Sequence, residues 1–284
     1  MKRVKLVFSF FVLVGLAVDL QYENGALRRF KSVLRECARG PTPGSVFAAA
    51  LESGSVLWSA NMETGGQDLS QWYSPTSCAS GTEGGGVFNS GTASAGPSFD
   101  VAHGGNYSAA LRINTATESG TRLFRWQEPQ TNSDLYYSVW YYFPQVYTPT
   151  LYWNVLQWIS SNGVQRAPFF ILGVGNQSGP SGPMYFYLYN SQTSTSYPQS
   201  PPGWSIPIGQ WTHVEAHYVC SGSADGRVTI WQDGVQILDV AGVQTKYPDG
   251  DCQWSVDNYS NGLRPSPATI YVDDVAICSG SRCP

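Results

Sequence analysis

The chain has 284 residues, 14% of them aromatic but only 13% charged, with 30 glycines and 18 prolines. That profile, rich in Trp, Tyr and turn formers, fits one all-β sandwich with a sizeable core better than a helical protein. The formal charge of −4 divides unevenly, +4 over residues 1–52 and −8 over residues 53–284, and an acidic body excludes nucleic acid and anionic membrane surfaces, whose phosphates demand clustered cations.

Lys2, Arg3 and Lys5 precede the apolar run Leu6 to Val18, the charged and hydrophobic regions of a secretory signal. This run is short for a bilayer span. A retained N-terminal anchor is the alternative, because no small-x-small cleavage site follows directly. With the polar, basic stretch Gln21 to Pro43, residues 1–52 read as signal peptide and leader, and residues 53–284 as one exported domain. It is expected to be extracellular, or periplasmic in a Gram-negative cell, and monomeric. Six cysteines fit that compartment. Six cysteines allow fifteen connectivities; among them, Cys278 and Cys283 are close enough to close a small C-terminal loop and Cys220 with Cys252 can clip a hairpin region, while Cys37 is lost if the leader is removed and Cys78 completes the set.

From Ser53 onward, short strands alternate with turns. Strands are expected at Ser55 to Ser59, Ala109 to Ile113, Thr121 to Trp126, Leu135 to Phe143, Asn154 to Ser160, Phe169 to Val174, Met184 to Tyr189, Trp211 to Cys220, Arg227 to Gln232, Val235 to Val240 and Thr269 to Ile277. Eleven antiparallel strands suggest a two-sheet sandwich. Ser74 to Pro97 and Asn190 to Pro207 read as long surface loops. Asp233-Gly234 supplies the two positive-φ positions of a tight hairpin.

Several stretches carry candidate chemistry. In Met184-Tyr-Phe-Tyr-Leu-Tyr189, alternation puts Tyr185, Tyr187 and Tyr189 on one face, where phenols can stack on sugar rings and hydrogen-bond their hydroxyls. The plainer reading is a ladder of tyrosines that covers the sheet. In Val155-Leu-Gln-Trp-Ile159, Gln157 lies between two β-branched residues of its own face, so its shielded amide needs a partner, either substrate or neighbouring backbone.

Trp211, His213, Glu215 and His217 share a strand face, opposite Val214, Ala216 and Tyr218. Same-face neighbours lie about 6.6 Å apart, so both histidines cannot bind one metal. A general base is the sharper reading of His213 or His217, and an exposed polar face the plainer one. Arg122 and Arg125 fall on opposite faces, so at most one serves a cleft. His103 reads as a turn residue. Ser-His-Asp hydrolysis lacks its G-x-S-x-G elbow. Glu63 near the start and Asp273 and Asp274 near the end lie on strands that neighbour in a sandwich; with turn carbonyls they suit a structural calcium that staples the termini. No organic cofactor is expected.

The opening Met62-Glu-Thr-Gly…Leu69-Ser-Gln-Trp72, the central Tyr152-Trp-Asn-Val-Leu-Gln-Trp158, Gly209-Gln-Trp-Thr-His-Val214, Val228-Thr-Ile-Trp-Gln-Asp-Gly234 and the closing Tyr271-Val-Asp-Asp-Val275 resemble secreted bacterial concanavalin-like jelly-roll proteins. The nearest group is the heparin-lyase-like polysaccharide lyases, with related laminin-G-like domains. The resemblance spans about residues 54–280. It implies a two-sheet antiparallel jelly roll acting on a polysaccharide by β-elimination. There a base removes the proton α to a uronate carboxylate, a neutraliser holds that carboxylate, and an acid protonates the leaving oxygen. Gln157 matches the family's central glutamine. Ile159 stands where a histidine often follows the Gln-Trp pair, so His213 or His217 and a tyrosine such as Tyr187 are the substitutes. Tyr185, Tyr189, Glu215, Arg122 and Trp231 are candidate substrate contacts. The acidic body disfavours heavily sulfated glycans. The same framework also serves non-catalytic carbohydrate-binding modules, and glycoside hydrolysis would need a second carboxylate beside Glu215.

Overall fold

The computed structural model describes residues 54–63, 86–91, 93–113, 118–126 and 134–284. The signal and leader, Cys37, Cys78 and residues 74–85 of the expected glycine-rich loop lie outside the described residues. In chain order the strands are β1 (Ser55–Ala60), β2 (Gly86–Ser90), β3 (Ser94–Ser98), β4 (Ser108–Ile113), β5 (Glu118–Trp126), β6 (Asp134–Tyr142), β7 (Thr148–Pro149), β8 (Trp153–Ser161), β9 (Arg166–Asn176), β10 (Met184–Asn190), β11 (Thr195–Tyr197), β12 (Trp211–Val219), β13 (Gly226–Gln232), β14 (Val235–Val243), β15 (Asp251–Asn261), β16 (Leu263–Arg264) and β17 (Ala268–Ser279). All pairings are antiparallel.

One sheet, here sheet A, runs β14-β13-β12-β6-β17-β4-β3, with β1 also paired to β17; sheet B runs β11-β10-β9-β8-β15-β5-β2. Strands distant in sequence, such as β6 and β17 or β5 and β15, lie side by side, which is the jelly-roll arrangement. The core fills the space between the sheets. Trp158 of sheet B stacks on Tyr218 of sheet A at 4.7 Å, and Phe143 meets Trp153 edge-on at 5.7 Å. Several polar groups buried there find partners: Tyr141 donates to the Val155 carbonyl, Trp153 donates to Asn258, and Asn258 donates to the Leu111 carbonyl, whereas the Trp158 indole N–H has none.

All eleven expected strands are present. The Asp233-Gly234 turn has φ of 50° and 80°, as the hairpin requires. Both expected disulfides, Cys220–Cys252 and Cys278–Cys283, are formed. Two loop expectations are corrected: Gly86–Ser90 and Ser94–Ser98 are strands within the glycine-rich stretch, and Thr195–Tyr197 is a strand within the 190–207 segment.

The largest omission is β15, in which core-facing Cys252, Trp254 and Val256 alternate with Gln253, Ser255 and Asp257 until a register shift after Val256 breaks the pattern, and which is buried along nearly its whole length. It pairs with β8 and β5 in the middle of sheet B, and its polar residues form the floor of the groove described next.

Candidate active site

Along β10 the burial alternates strictly. Met184, Phe186 and Leu188 enter the core, and Tyr185, Tyr187 and Tyr189 stand on the outer face of sheet B. Opposite them β9 presents Gly175, Gly173 and Ile171. A Cβ added to Gly173 would lie 2.4 Å from Cζ of Tyr187, and one on Gly175 would lie 3.0 Å from Cε1 of Tyr185. The missing side chains therefore let both phenol rings lie across β9 toward β8.

In β8 a bulge changes what parity alone predicts. The register against β9 slips between Asn154 and Leu156, so Val155 and Leu156 both enter the core. The groove-side neighbours of Gln157 are thus Asn154 and Ile159, not Val155 and Ile159. Gln157 is only 3% exposed, and among the described residues its amide makes no hydrogen bond. Its amide atoms still reach solvent, so water or a ligand in the groove can complete it.

Beside β8, β15 turns Ser255, Asp257 and Tyr259 outward, and β5 turns Arg122 outward. The Arg122 guanidinium lies over the Tyr259 ring at 4.0 Å. Leu151, Tyr152, Asn154, Ile171, Tyr187 and Tyr259 enclose most of a cavity of about 470 Å³, completed by Tyr189 and Ser196. Burial, with the neighbouring Tyr185 and Tyr189 phenols, pushes Tyr187 up to about 12, so its hydroxyl is a proton donor at neutral pH.

Of the sequence candidates, sheet B thus gathers Gln157, Tyr185, Tyr187, Tyr189 and Arg122. His213, Glu215, His217 and Trp231 lie elsewhere. Val214, Ala216 and Tyr218 of β12 face the core, so these four stand on the outer face of sheet A, across the sandwich. The expectation that His213 or His217 joins Gln157 and Tyr187 in one groove is corrected by that placement: both sheets turn their apolar faces inward, which sends the two polar faces apart.

On sheet A the histidines are already engaged. His213 contacts the Ser138 hydroxyl at 2.7 Å and stacks on Trp140, while His217 contacts Asp134 at 2.5 Å and stacks on Tyr136. Burial lowers the His213 pKa, with Glu215 opposing, which keeps the ring neutral. Glu215 is held by Arg282 of the C-terminal tail, whose guanidinium also lies 5.2 Å over Trp231. His103 stacks on Trp140 at 3.8 Å, so all three histidines of the chain belong to this side and no imidazole faces the groove.

The three candidate metal carboxylates meet around the loop 102–107. Glu63 accepts from the backbone N–H groups of Asn106 and Tyr107, which lower its pKa; Asp273 accepts from His103 N–H; and Asp274 contacts the His103 ring at 2.6 Å. Burial pushes Asp273 up to about 6 against these donors. Among the described residues no three His, Cys, Asp or Glu side chains stand close enough to ligate one ion, so a cation here would draw on loop carbonyls too.

A jelly roll whose one sheet bears an aromatic-walled groove with an unsatisfied amide in its floor defines a carbohydrate-active protein. The family model described as polysaccharide lyase matches residues 71–276, and the chain belongs to that family. Among solved structures, an endo-β-1,4-glucuronan lyase from the fungus Trichoderma reesei is similar at 13% identity and TM-score 0.54, covering 79% of this chain and 95% of that one. The cellulose-induced protein Cip1 is similar at 16% identity and TM-score 0.52, covering 79% and 98%. The alginate lyase Aly36B, in complex with an alginate trisaccharide, is similar at 13% identity and TM-score 0.53, covering 80% and 98%. At these identities the likeness is one of fold. No curated protein matches the chain significantly.

Proposed function

We propose that this polysaccharide lyase cleaves a uronate-containing glycan by β-elimination in the groove of sheet B. The observation that carries the reading is the nearly buried, unpartnered Gln157 amide facing the Tyr185, Tyr187 and Tyr189 stripe. Gln157 and Arg122 hold the substrate carboxylate and stabilise the carbanion charge that spreads into it. Tyr185 or Tyr189, entering the step as phenolate after its own proton has gone to solvent, accepts the proton α to the carboxylate and becomes the neutral phenol. Tyr187, kept protonated, gives its proton to the departing glycosidic oxygen as the carbon–oxygen bond breaks. The product carries a new carbon–carbon double bond conjugated to its carboxylate. Lyases of similar fold act on glucuronan and alginate, and a groove with few cations suits one carboxylate per sugar better than dense sulfation.

The test is ultraviolet absorbance of the unsaturated uronate on incubation with glucuronan and with alginate. Wild type produces it on at least one, Gln157→Ala and Tyr187→Phe lose at least about 100-fold, and binding without any absorbance rise would make the chain a carbohydrate-binding module instead. Two further properties belong to this reading. Secretion is supported by the N-terminal Lys/Arg-plus-apolar segment and by the two disulfides. A structural calcium at the 102–107 loop would draw on loop carbonyls together with whichever of Glu63, Asp273 and Asp274, each in contact with that loop, turns to it; a melting temperature that rises with calcium, and does not rise in Glu63→Gln, tests it.

A further inference from the structure

The cavity of about 470 Å³ beside Gln157 is large enough for a sugar residue. Its walls offer four phenols, the alkyl side chains of Leu151 and Ile171, the Asn154 amide and the Ser196 hydroxyl, and none of these groups is a cation. Leu151 is 74% exposed, so the rim is apolar as well.

The sequence itself limits where a cation could come from. From residue 53 onward the chain has eight Lys and Arg residues, and none falls in 64–85, 92, 114–117 or 127–133, the segments of this domain outside the described residues. Three belong to sheet A: Arg112 on β4, Arg227 paired with Asp239, and Arg282 on Glu215. Lys246 donates to the Gly250 carbonyl, and Arg264 opposes Thr148 in the β7–β16 ribbon. On sheet B, Arg125 opposes Trp254, and Arg166 donates to Gln253, which opposes Ile159 on the far side of Gln157 from Asn154. That leaves Arg122, which lies on the Tyr259 ring at the edge of the cavity and is not among its lining residues.

β-Elimination fixes which sugar stands where. The proton leaves C5 of the uronate whose carboxylate Gln157 and Arg122 hold, and the bond that breaks is C4–O4. The sugar attached through O4 therefore departs with that oxygen and the Tyr187 proton. Tyr187 lines the cavity, so on the proposed function, on which this inference rests, the departing sugar occupies it. The phenolate that takes the C5 proton puts a negative charge at the same wall: Tyr189 lines it, and the Tyr185 ring stands 6.2 Å from that of Tyr187. A carboxylate on the departing sugar would lose water, meet no cation and face a like charge. A hydroxymethyl group in its place can hydrogen-bond to phenols, to Asn154 and to Ser196. We infer that this cavity selects an uncharged departing sugar, so that the preferred substrate is a polymer whose uronates each carry a neutral sugar on O4. Homopolymers of uronate are then cleaved with kcat/KM lower by about tenfold or more.

The experiment is product analysis with the full chain on glucuronan and alginate in which a part of the carboxylates has been reduced to hydroxymethyl groups, a change that removes charge and keeps every linkage. Each cut still requires a uronate on the unsaturated side, while the departing sugar is free to be of either kind. Borodeuteride marks the new reducing ends, and mass spectrometry identifies the sugar there. Relative to their shares in the polymer, neutral sugars are expected at the marked ends about tenfold more often than uronates. Ends that mirror the composition of the polymer, or that favour uronate, overturn the inference. Ser196→Lys puts a cation at an exposed position of the cavity wall and should shift the marked ends toward uronate by roughly threefold. Unshifted ends in the folded variant overturn the assignment to this cavity, and the wild-type ends decide by themselves if the variant fails to fold. Cleavage with unbiased ends sinks this inference alone, whereas a wild type that cleaves no uronate polymer, intact or partly reduced, sinks the proposed function and this inference with it.

Discussion

Gly173→Ala isolates the placement of Tyr187 without touching a reacting group. The new methyl would lie 2.4 Å from Cζ and 2.6 Å from the hydroxyl oxygen of Tyr187, whereas carbon atoms in contact prefer about 3.5–4.0 Å. The ring must therefore retreat by about 1 Å or more, and the adjoining cavity of about 470 Å³ gives it room. A displacement of that size in a proton-transferring group costs on the order of 100-fold in kcat/KM. Gly173 is not among the positive-φ glycines, so alanine suits its backbone and stability should change by no more than about 1 kcal/mol. Gly175→Ala is the internal comparison: its methyl meets Tyr185 at 3.0 Å, so the ring need shift by only a few tenths of an ångström. The assay is initial-rate elimination, with thermal melts of both variants as controls. Full activity in Gly173→Ala, or an equal loss in Gly175→Ala, would refute the argument that Tyr187 acts from the position that β9 allows it.

Other outcomes follow from the same structure. His213→Ala and His217→Ala should keep activity within about twofold when assayed on a cleaved substrate, because both side chains lie across the sandwich from the groove. Arg282→Ala should cost about 3 kcal/mol in denaturant unfolding while leaving elimination intact, since it strands the buried Glu215 carboxylate, 4% exposed; the figure is the low end because Arg282 itself is 34% exposed. Asp257→Asn should show a pH-dependent gain in stability. The folded pKa of Asp257, about 6, lies above its reference of 3.8, so the wild type is favoured at low pH and loses that contribution, about 3 kcal/mol, as pH rises through 6. The variant escapes the loss, and melts at about pH 4 and pH 8 compare the two. Removing Cys220–Cys252, with a sequence separation of 32, should cost about 4 kcal/mol, against about 2 for Cys278–Cys283, with a separation of 5.

The sequence by itself determined the strands whose two faces differ. In β10 and β12 apolar residues alternate with polar ones because one face meets the core, so Tyr185, Tyr187 and Tyr189, and likewise His213 and His217, could be assigned to shared faces before any coordinates. It also determined the Asp233-Gly234 hairpin, because only certain residues accept positive φ, whereas it suggested the two cysteine pairs among fifteen connectivities and the structure chose them. Three things were decided only by tertiary structure. The first is the central strand β15, whose short alternation Cys252, Trp254, Val256 is broken by the register shift at Asp257-Asn258; Asp257 and Tyr259 went unseen with it. The second is the β8 bulge, a one-residue change in register that local sequence does not announce, which turns Asn154 rather than Val155 toward the groove. The third is which sheet carries which polar face. Alternation says that His213 and Gln157 both point away from the core, but not that they point in opposite directions, because that depends on strand order in the sandwich, and pairing between strands distant in sequence leaves no local signature.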